Sequence, residues 1–425
     1  MVDHPGRSLL MIAFGTRGDV DPTLELAAGV RHRGVAVRLA VPSDFVGAVE
    51  ARGLASVDLG VSTTEMLGSD VGRRWVEGSH RSPRVALALL RSMFNEFGPR
   101  VAEATLAEHR PDEAVASNVL TFGIGAALAE ARQVPHLQLL LAPITPTSLA
   151  EASAAPFHTG TKALDLAVGR LGLRAVHWAG AEPVNSLRSS LALPRWRTRH
   201  HVARWMETPV VYGFSRHVVP VDPEWPDSTV VTGYWWGDER TPSTPPAVLG
   251  DFLSSAPRPV YVGFGSMLGG LDAEAAVQVA CEAIVRAGVH GVVARPGDAR
   301  VTPDGRVCLV GDVDHAWLFP RMSAVVHHGG AGTTAQAIRA GVPSTAVPRL
   351  GDQPYWGRRL AELGVGMPPL PPGKLDAASL AEVIVGMLDE SMSNRASRLA
   401  SLVRGEDGVG RATDAVVDLL RQGRC

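Results

Sequence analysis

The chain has 425 residues, too many for one ordinary core, and its length predicts two domains of similar size. Apolar residues make up 45% and charged residues 20%, the balance of a soluble globular enzyme, and 41 Lys and Arg against 43 Asp and Glu leave a net charge of −2. With 5% aromatics as well, neither the basic surface nor the stacking rings of a nucleic-acid partner are present.

The only lysines are Lys162 and Lys374, an Arg bias typical of a GC-rich bacterial genome. Cys281, Cys308 and Cys425 share no metal-ligand spacing, so reduced thiols and a cytoplasmic protein are expected. The apolar run Leu9 to Phe14 is too short for a signal peptide, and no run reaches membrane-spanning length. The expectation is a monomer or homodimer with at most peripheral membrane contact.

In chain order, "SLLMIAF" predicts a strand ending at residue 14, followed by a helix from about Pro22 to Arg33 with Asp21 as its cap. "VAVRLAVP" is the second strand. Residues 61–95 mix polar and apolar segments and read as a mobile loop over a pocket. "EAVASNV", a helical "IGAALAEAR" and "PHLQLLLA" continue the alternation. Phe157, His158, Trp178, Trp196 and Trp205 could line an apolar pocket or sit in the core.

"GDERTPSTPPAVLG", residues 237–250, has the composition of a linker. The grammar then restarts with "PVYVGFGS", a helix over 272–288, "HGVVARP", "RVCLVG", "AVVHH", a helix from about Thr333 to Ala340, and "PSTAVP". Strand–helix alternation in both halves predicts two doubly wound, parallel-sheet (Rossmann-like) α/β domains facing a central cleft. Their expected limits are 1–236 and 251–405, with a final helix over 406–425 packing back on the first domain.

The most informative stretch runs from residue 324 to 360. A strand enters His327 and His328, four small residues follow (Gly329, Gly330, Ala331, Gly332), and Thr333 and Thr334 open a helix. Small residues let backbone approach a ligand, and a helix N-terminus offers unpaired N–H groups, so the segment suits a diphosphate. The alternative is a tight turn with Thr as helix cap. Ser266 follows a second glycine-rich strand end, where Gly263, Gly265 and Gly269 nearly spell a dinucleotide fingerprint, with the last Gly one position late. Asp352 and Gln353 offer an adjacent carboxylate and amide that can bond the vicinal hydroxyls of a sugar.

"VYVGFGSM", "HHGGAGTT", "PRLGDQPYW", "GTRGDVDPTLELA" and "AWLFPRMSAVVHHGG" together resemble the nucleotide-sugar glycosyltransferases of the two-domain GT-B fold. The similarity is to the branch of sterol glucosyltransferases and bacterial antibiotic glycosyltransferases. It implies that His328 binds the donor diphosphate, with N–H groups from Gly330, Ala331, Gly332 and Thr333, and with Ser266. It places Asp352 and Gln353 on the hexose hydroxyls and lets Thr16 reach the donor. Plant-type relatives carry Glu on the ribose where this chain has Gln336, and Val310 stands where they stack an aromatic on the base. Both UDP and TDP therefore stay open.

Relatives with Gly-x-Arg-Gly-Asp use that Asp as base, which the resemblance carries onto Asp19. Local chemistry agrees, because an acceptor hydroxyl must lose its proton as it attacks the anomeric carbon. The competing role for Asp19 is helix capping. The resulting expectation is an inverting transfer of a hexose from a UDP- or TDP-sugar to a lipophilic natural-product acceptor. It needs no metal and no cofactor beyond the nucleotide-sugar co-substrate. The alternatives are a two-domain dinucleotide oxidoreductase and a non-catalytic sugar-nucleotide-binding auxiliary protein.

Overall fold

A computed structural model describes residues 8–79, 82–155, 158–237, 245–256, 258–265 and 272–423. The chain divides into two compact units, one formed by residues up to Gly237 together with those from Glu406 onward, the other by Asp238–Gly405.

The first unit is built on seven strands: β1 (Ser8–Ile12), β2 (Ala36–Val41), β3 (Ala55–Asp58), β4 (Ala114–Ser117), β5 (His136–Leu140), β6 (Val210–Tyr212) and β7 (Thr229–Val231). They lie in the order β3-β2-β1-β4-β5-β6-β7, with every pair parallel. Among the described residues they are accompanied by α1 (Arg17–His32), α2 (Val46–Ala51), α3 (Thr63–Gly68), α4 (Asp70–Gly78), α5 (Pro83–Glu108), α6 (Phe122–Arg132), α7 (Lys162–Ser190) and α8 (Thr198–Glu207). β1 is apolar at consecutive positions because both its faces are covered. Leu9 and Met11 join the core under α1, whereas Leu10 and Ile12 point to the opposite core with Phe97 and Leu128.

The second unit has β8 (Val260–Gly263), β9 (Gly291–Ala294), β10 (Arg300–Val301), β11 (Val307–Val310), β12 (Ala324–His327) and β13 (Ser344–Ala346). Their order is β10-β11-β9-β8-β12-β13, parallel except for the short β10, which runs antiparallel to β11. Its helices are α9 (Ala247–Ser255), α10 (Asp272–Arg286), α11 (His315–Leu318), α12 (Ala331–Ala340), α13 (Gln353–Glu362), α14 (Ala377–Met387) and α15 (Glu390–Arg404). The last helix, α16 (Gly408–Gln422), returns to the first unit, where Val416 and Leu420 share a core with Val20 and Leu24 of α1.

In each sheet the strand order reverses beside its first strand, between β1 and β4 and between β8 and β12. In open α/β sheets, ligands bind in the crevice outside the carboxyl ends of the strands at such a reversal. The Asp19 loop follows β1, and the His328 loop follows β12.

The structure corrects three expectations and decides between the two readings of Trp196 and Trp205. Helix α1 starts at Arg17, not Pro22, with Thr16 as N-cap, so Asp21 lies inside the helix and does not cap it. Residues 61–95 hold helices α3 and α4 and the start of α5, because Ser62, Ser69 and Ser82 each accept an N–H of the following first turn. Trp196 and Trp205 are buried and pack around Phe122, so they belong to the core. Phe157 lies outside the described residues. The expected linker is cut short, since α9 begins at Ala247 directly after Pro246.

Candidate active site

In the second unit, β12 ends on His327 and the chain passes through His328, Gly329 and Gly330 into α12. Gly330 is the N-cap, so the helix opens at Ala331, two residues earlier than Thr333. Ala331, Gly332 and Thr333 are thus its first three residues, whose N–H groups have no partner within the helix. Thr333 is therefore a third helical residue and not a cap. The helix dipole adds partial positive charge at this end.

Two glycines make room for the His328 ring. A Cβ at Gly330 would lie 2.5 Å from His328 Nε2, and one at Gly265 would lie 3.0 Å from Nδ1. Although His328 as a whole is part-buried, its Nδ1 is shut from solvent and has no hydrogen-bond partner among the described residues. Burial, with His315 close by, lowers its pKa to about 4, so the ring is neutral at pH 7. His315 is stacked on Phe319 at 4.4 Å and has Nε2 3.2 Å from the Tyr261 hydroxyl. His327 has a structural role: fully buried, it accepts the Gly329 N–H on Nδ1 at 2.9 Å.

Gly329 adopts a φ of +89°, open to few residues but glycine, and a Cβ there would meet the Gln353 carbonyl at 2.9 Å. The loop carrying Asp352 and Gln353 is thereby packed against the His328 turn. Asp352 stands at the N-cap position of α13 without a side-chain cap bond, and its Oδ2 accepts the Trp356 indole N–H at 2.7 Å. Burial raises the pKa of this carboxyl. Gln353 is buried and its Oε1 accepts the N–H groups of Arg349 at 2.8 Å and Leu350 at 3.2 Å, so its oxygen braces the loop. Gln336 and Thr334, on α12, each present a buried side-chain oxygen with no partner among the described residues. Val310 is buried inside β11 and offers no platform to a base. Ser266 lies outside the described residues.

In the first unit, Asp19 is the third residue of α1 and turns back on the loop that precedes it. Its Oδ2 accepts the Thr16 N–H at 2.9 Å and the Thr16 hydroxyl at 3.3 Å. The capping role is thus real, and it also fixes the carboxylate at the end of β1. Two buried side chains hold the same loop from behind: Asn118 donates to the Phe14 carbonyl at 2.6 Å, and Thr63 donates to that of Gly15 at 2.8 Å. The sequence reading missed both residues. Asn118 had a signal, because it directly follows β4 at the sheet's reversal point. Thr63, 48 residues from its partner, had none. Among the described residues, no group of three or more His, Cys, Asp or Glu side chains is placed to hold a metal ion.

Two doubly wound units, each with polar groups gathered at its strand reversal, have the two-domain GT-B architecture. Solved structures share it at low identity. The glycotransferase of kitacinnamycin superposes with a TM-score of 0.70 at 19% identity, covering 98% of this chain and 100% of that one. The glycosyltransferase VinC, solved in complex with DTDP, gives 0.65 at 22% identity over 98% and 100%. Residues 9–159 match the glycosyltransferase family 28 N-terminal domain, and residues 273–406 match the erythromycin biosynthesis protein CIII-like C-terminal domain. A sterol 3-beta-glucosyltransferase of Arabidopsis thaliana is 32% identical over 97% of this chain, which spans 65% of that relative's length. The O-mycaminosyltylonolide 6-deoxyallosyltransferase of Streptomyces fradiae is 30% identical over 95% of both chains. The chain belongs to the glycosyltransferase family that contains these sterol and macrolide enzymes.

Proposed function

We propose that the protein transfers a hexose from a UDP- or TDP-sugar to a hydroxyl of a lipophilic polycyclic or macrocyclic acceptor, with inversion and without a metal. One observation carries this reading. His328 lies over Gly330 at the open N-terminus of α12, with a ring nitrogen that is buried and has no partner among the described residues. A diphosphate brings the negative charge that this cluster of donors lacks.

In this reading the acceptor hydroxyl gives its proton to Asp19 as its oxygen attacks the anomeric carbon. The bond from that carbon to the diphosphate oxygen breaks, and its electron pair leaves with the nucleotide. His328 and the N–H groups of Ala331, Gly332 and Thr333 meet the charge of the leaving diphosphate, the task a metal performs elsewhere. Asp352, with one oxygen anchored by Trp356, and the amide nitrogen of Gln353 are assigned to the hexose hydroxyls. Thr16, Ser266 and Gln336 are assigned to the donor. Attack opposite the leaving group inverts the anomeric centre.

The acceptor class rests on the sterol and macrolide substrates that the relatives' names state. The test is incubation of UDP- and TDP-glucose with a sterol and a macrolide aglycone, in chelator, with NMR of the anomeric proton in the product. A β-glucoside from the α-configured donor is expected. A product that retains the donor's configuration, or activity that appears only on adding magnesium or manganese, overturns the mechanism.

A further inference from the structure

On α7, Leu164, Leu171 and Trp178 are exposed by 55%, 61% and 47%. They stand seven residues apart, so they form one row along the helix, about 20 Å long. Singly exposed apolar side chains are ordinary, but an aligned row on one helix face is not.

The row has cationic borders on both sides. Arg170 and Arg174 lie on α7 one and three residues from Leu171, both turned to the same flank of the row. The other border comes from α5. The Arg91 guanidinium sits 4.4 Å from the Trp178 ring centre and donates to the Trp178 carbonyl. Further along, a Cβ at Gly98 would touch Pro183. The two helices therefore run side by side in the same direction. Arg84, seven residues before Arg91, is level with Leu171, seven before Trp178. Arg84, Arg170 and Arg174 are exposed and make no ion pair among the described residues. Asp165, the sole acidic residue in the first half of α7, is buried and bonded to Thr159.

We propose that this face of α5 and α7 docks the protein on an anionic phospholipid surface. The row would sit at the boundary between headgroups and acyl chains, with the arginines on lipid phosphates. Trp178 beside Arg91 is an aromatic–cation pair suited to that depth. A second copy of the chain is the poorer occupant, because self-pairing would bring arginine borders together. Since the net charge of the chain is −2, the attraction belongs to this patch and not to the whole molecule.

The test is co-sedimentation of the full chain with vesicles of phosphatidylcholine, with and without roughly 30 mol% phosphatidylglycerol. Binding is expected to the anionic vesicles and to weaken in high salt. Leu164→Asp with Leu171→Asp should lower the partition coefficient at least about tenfold. Arg84→Gln, Arg170→Gln and Arg174→Gln together should abolish the preference for anionic lipid. Leu171→Gln alone serves if the double variant fails to fold, and Tm with UDP affinity verifies each variant. No sedimentation of the parent with either vesicle overturns the proposal, as does binding that ignores headgroup charge or these substitutions. A dimer that Leu171→Gln dissociates would assign the face to a second copy instead, and so overturns it too.

Discussion

The carboxylate of Asp19 occupies the space that a side chain at Gly15 would need: a Cβ on Gly15 would lie 2.3 Å from Asp19 Oδ2. Gly15 also has a φ of +145°, where other residues are strained. Gly15→Ala must therefore push the carboxylate off the end of β1. A displacement of about 1 Å in a catalytic group can cost roughly 10²-fold in rate. Transfer should fall by about that factor, with UDP affinity within about threefold of the parent. Steady-state kinetics with calorimetric UDP titration checks this, and unchanged transfer would remove Asp19 from the mechanism.

His328→Ala deletes the imidazole between Gly265 and Gly330. A buried charge-assisted phosphate contact contributes about 1.5–3 kcal/mol, so UDP and TDP should both bind about 10- to 150-fold more weakly. Gly330→Ala should act in the same direction, because its Cβ would come 2.5 Å from His328 Nε2. Equal affinity in parent and variants would count against the cradle.

The same histidine predicts a pH dependence of donor binding. Burial and His315 hold its pKa at about 4 in the free protein, and a bound diphosphate must raise it. A group whose pKa rises on binding favours the complex as pH falls. UDP-glucose should therefore bind more tightly as pH falls from 7 toward 4, the side of the window set by the free-state pKa of about 4, with proton uptake there detectable by calorimetry in two buffers of different ionisation enthalpy. His328→Gln should flatten that profile. A parent profile already flat contradicts the assignment.

Stability should fall in acid through a separate set of histidines. Burial lowers the pKa of His136 and of His201 to about 3, and neither His201 ring nitrogen has a partner among the described residues. The ordinary His pKa of about 6.5 applies in the unfolded chain. Between 6.5 and 3 the unfolded state binds more protons, so stability is complete above that window and is lost as pH drops through it. At pH 5 each histidine costs about 2 kcal/mol. Differential scanning calorimetry at pH 7 and pH 5 should show a smaller Tm drop for His201→Gln than for the parent.

How legible this was depended on the range of the signal. Strand ends, the small-residue turn after His328 and the restarted alternation were all written locally. The start of α1 was misread because two signals compete: Asp21-Pro22 looks like a cap and first residue, while Thr16 with Asp19 three positions on forms the cap that holds. Pro22 sits inside the helix even though it lacks the N–H that would bond Gly18 and its ring crowds that carbonyl, so the Thr16–Asp19 cap and the packing of α1 outweigh the Pro signal. The serine caps of α3, α4 and α5 were local but hidden in a mixed segment. Packing across long separations left no local mark. Gly329 against Gln353 and Thr63 against Gly15 needed the structure.

The most direct test of the central claim is the single-turnover rate of Asp19→Asn at saturating donor, beside Asp21→Asn. Asn keeps an oxygen for the Thr16 N–H, so the α1 cap and Tm should survive. It cannot take the acceptor's proton, and the rate should fall about 10²–10⁴-fold with UDP affinity unchanged, while Asp21→Asn stays near the parent. A transfer rate for Asp19→Asn within a few-fold of the parent, or equal losses in both variants, would contradict the account.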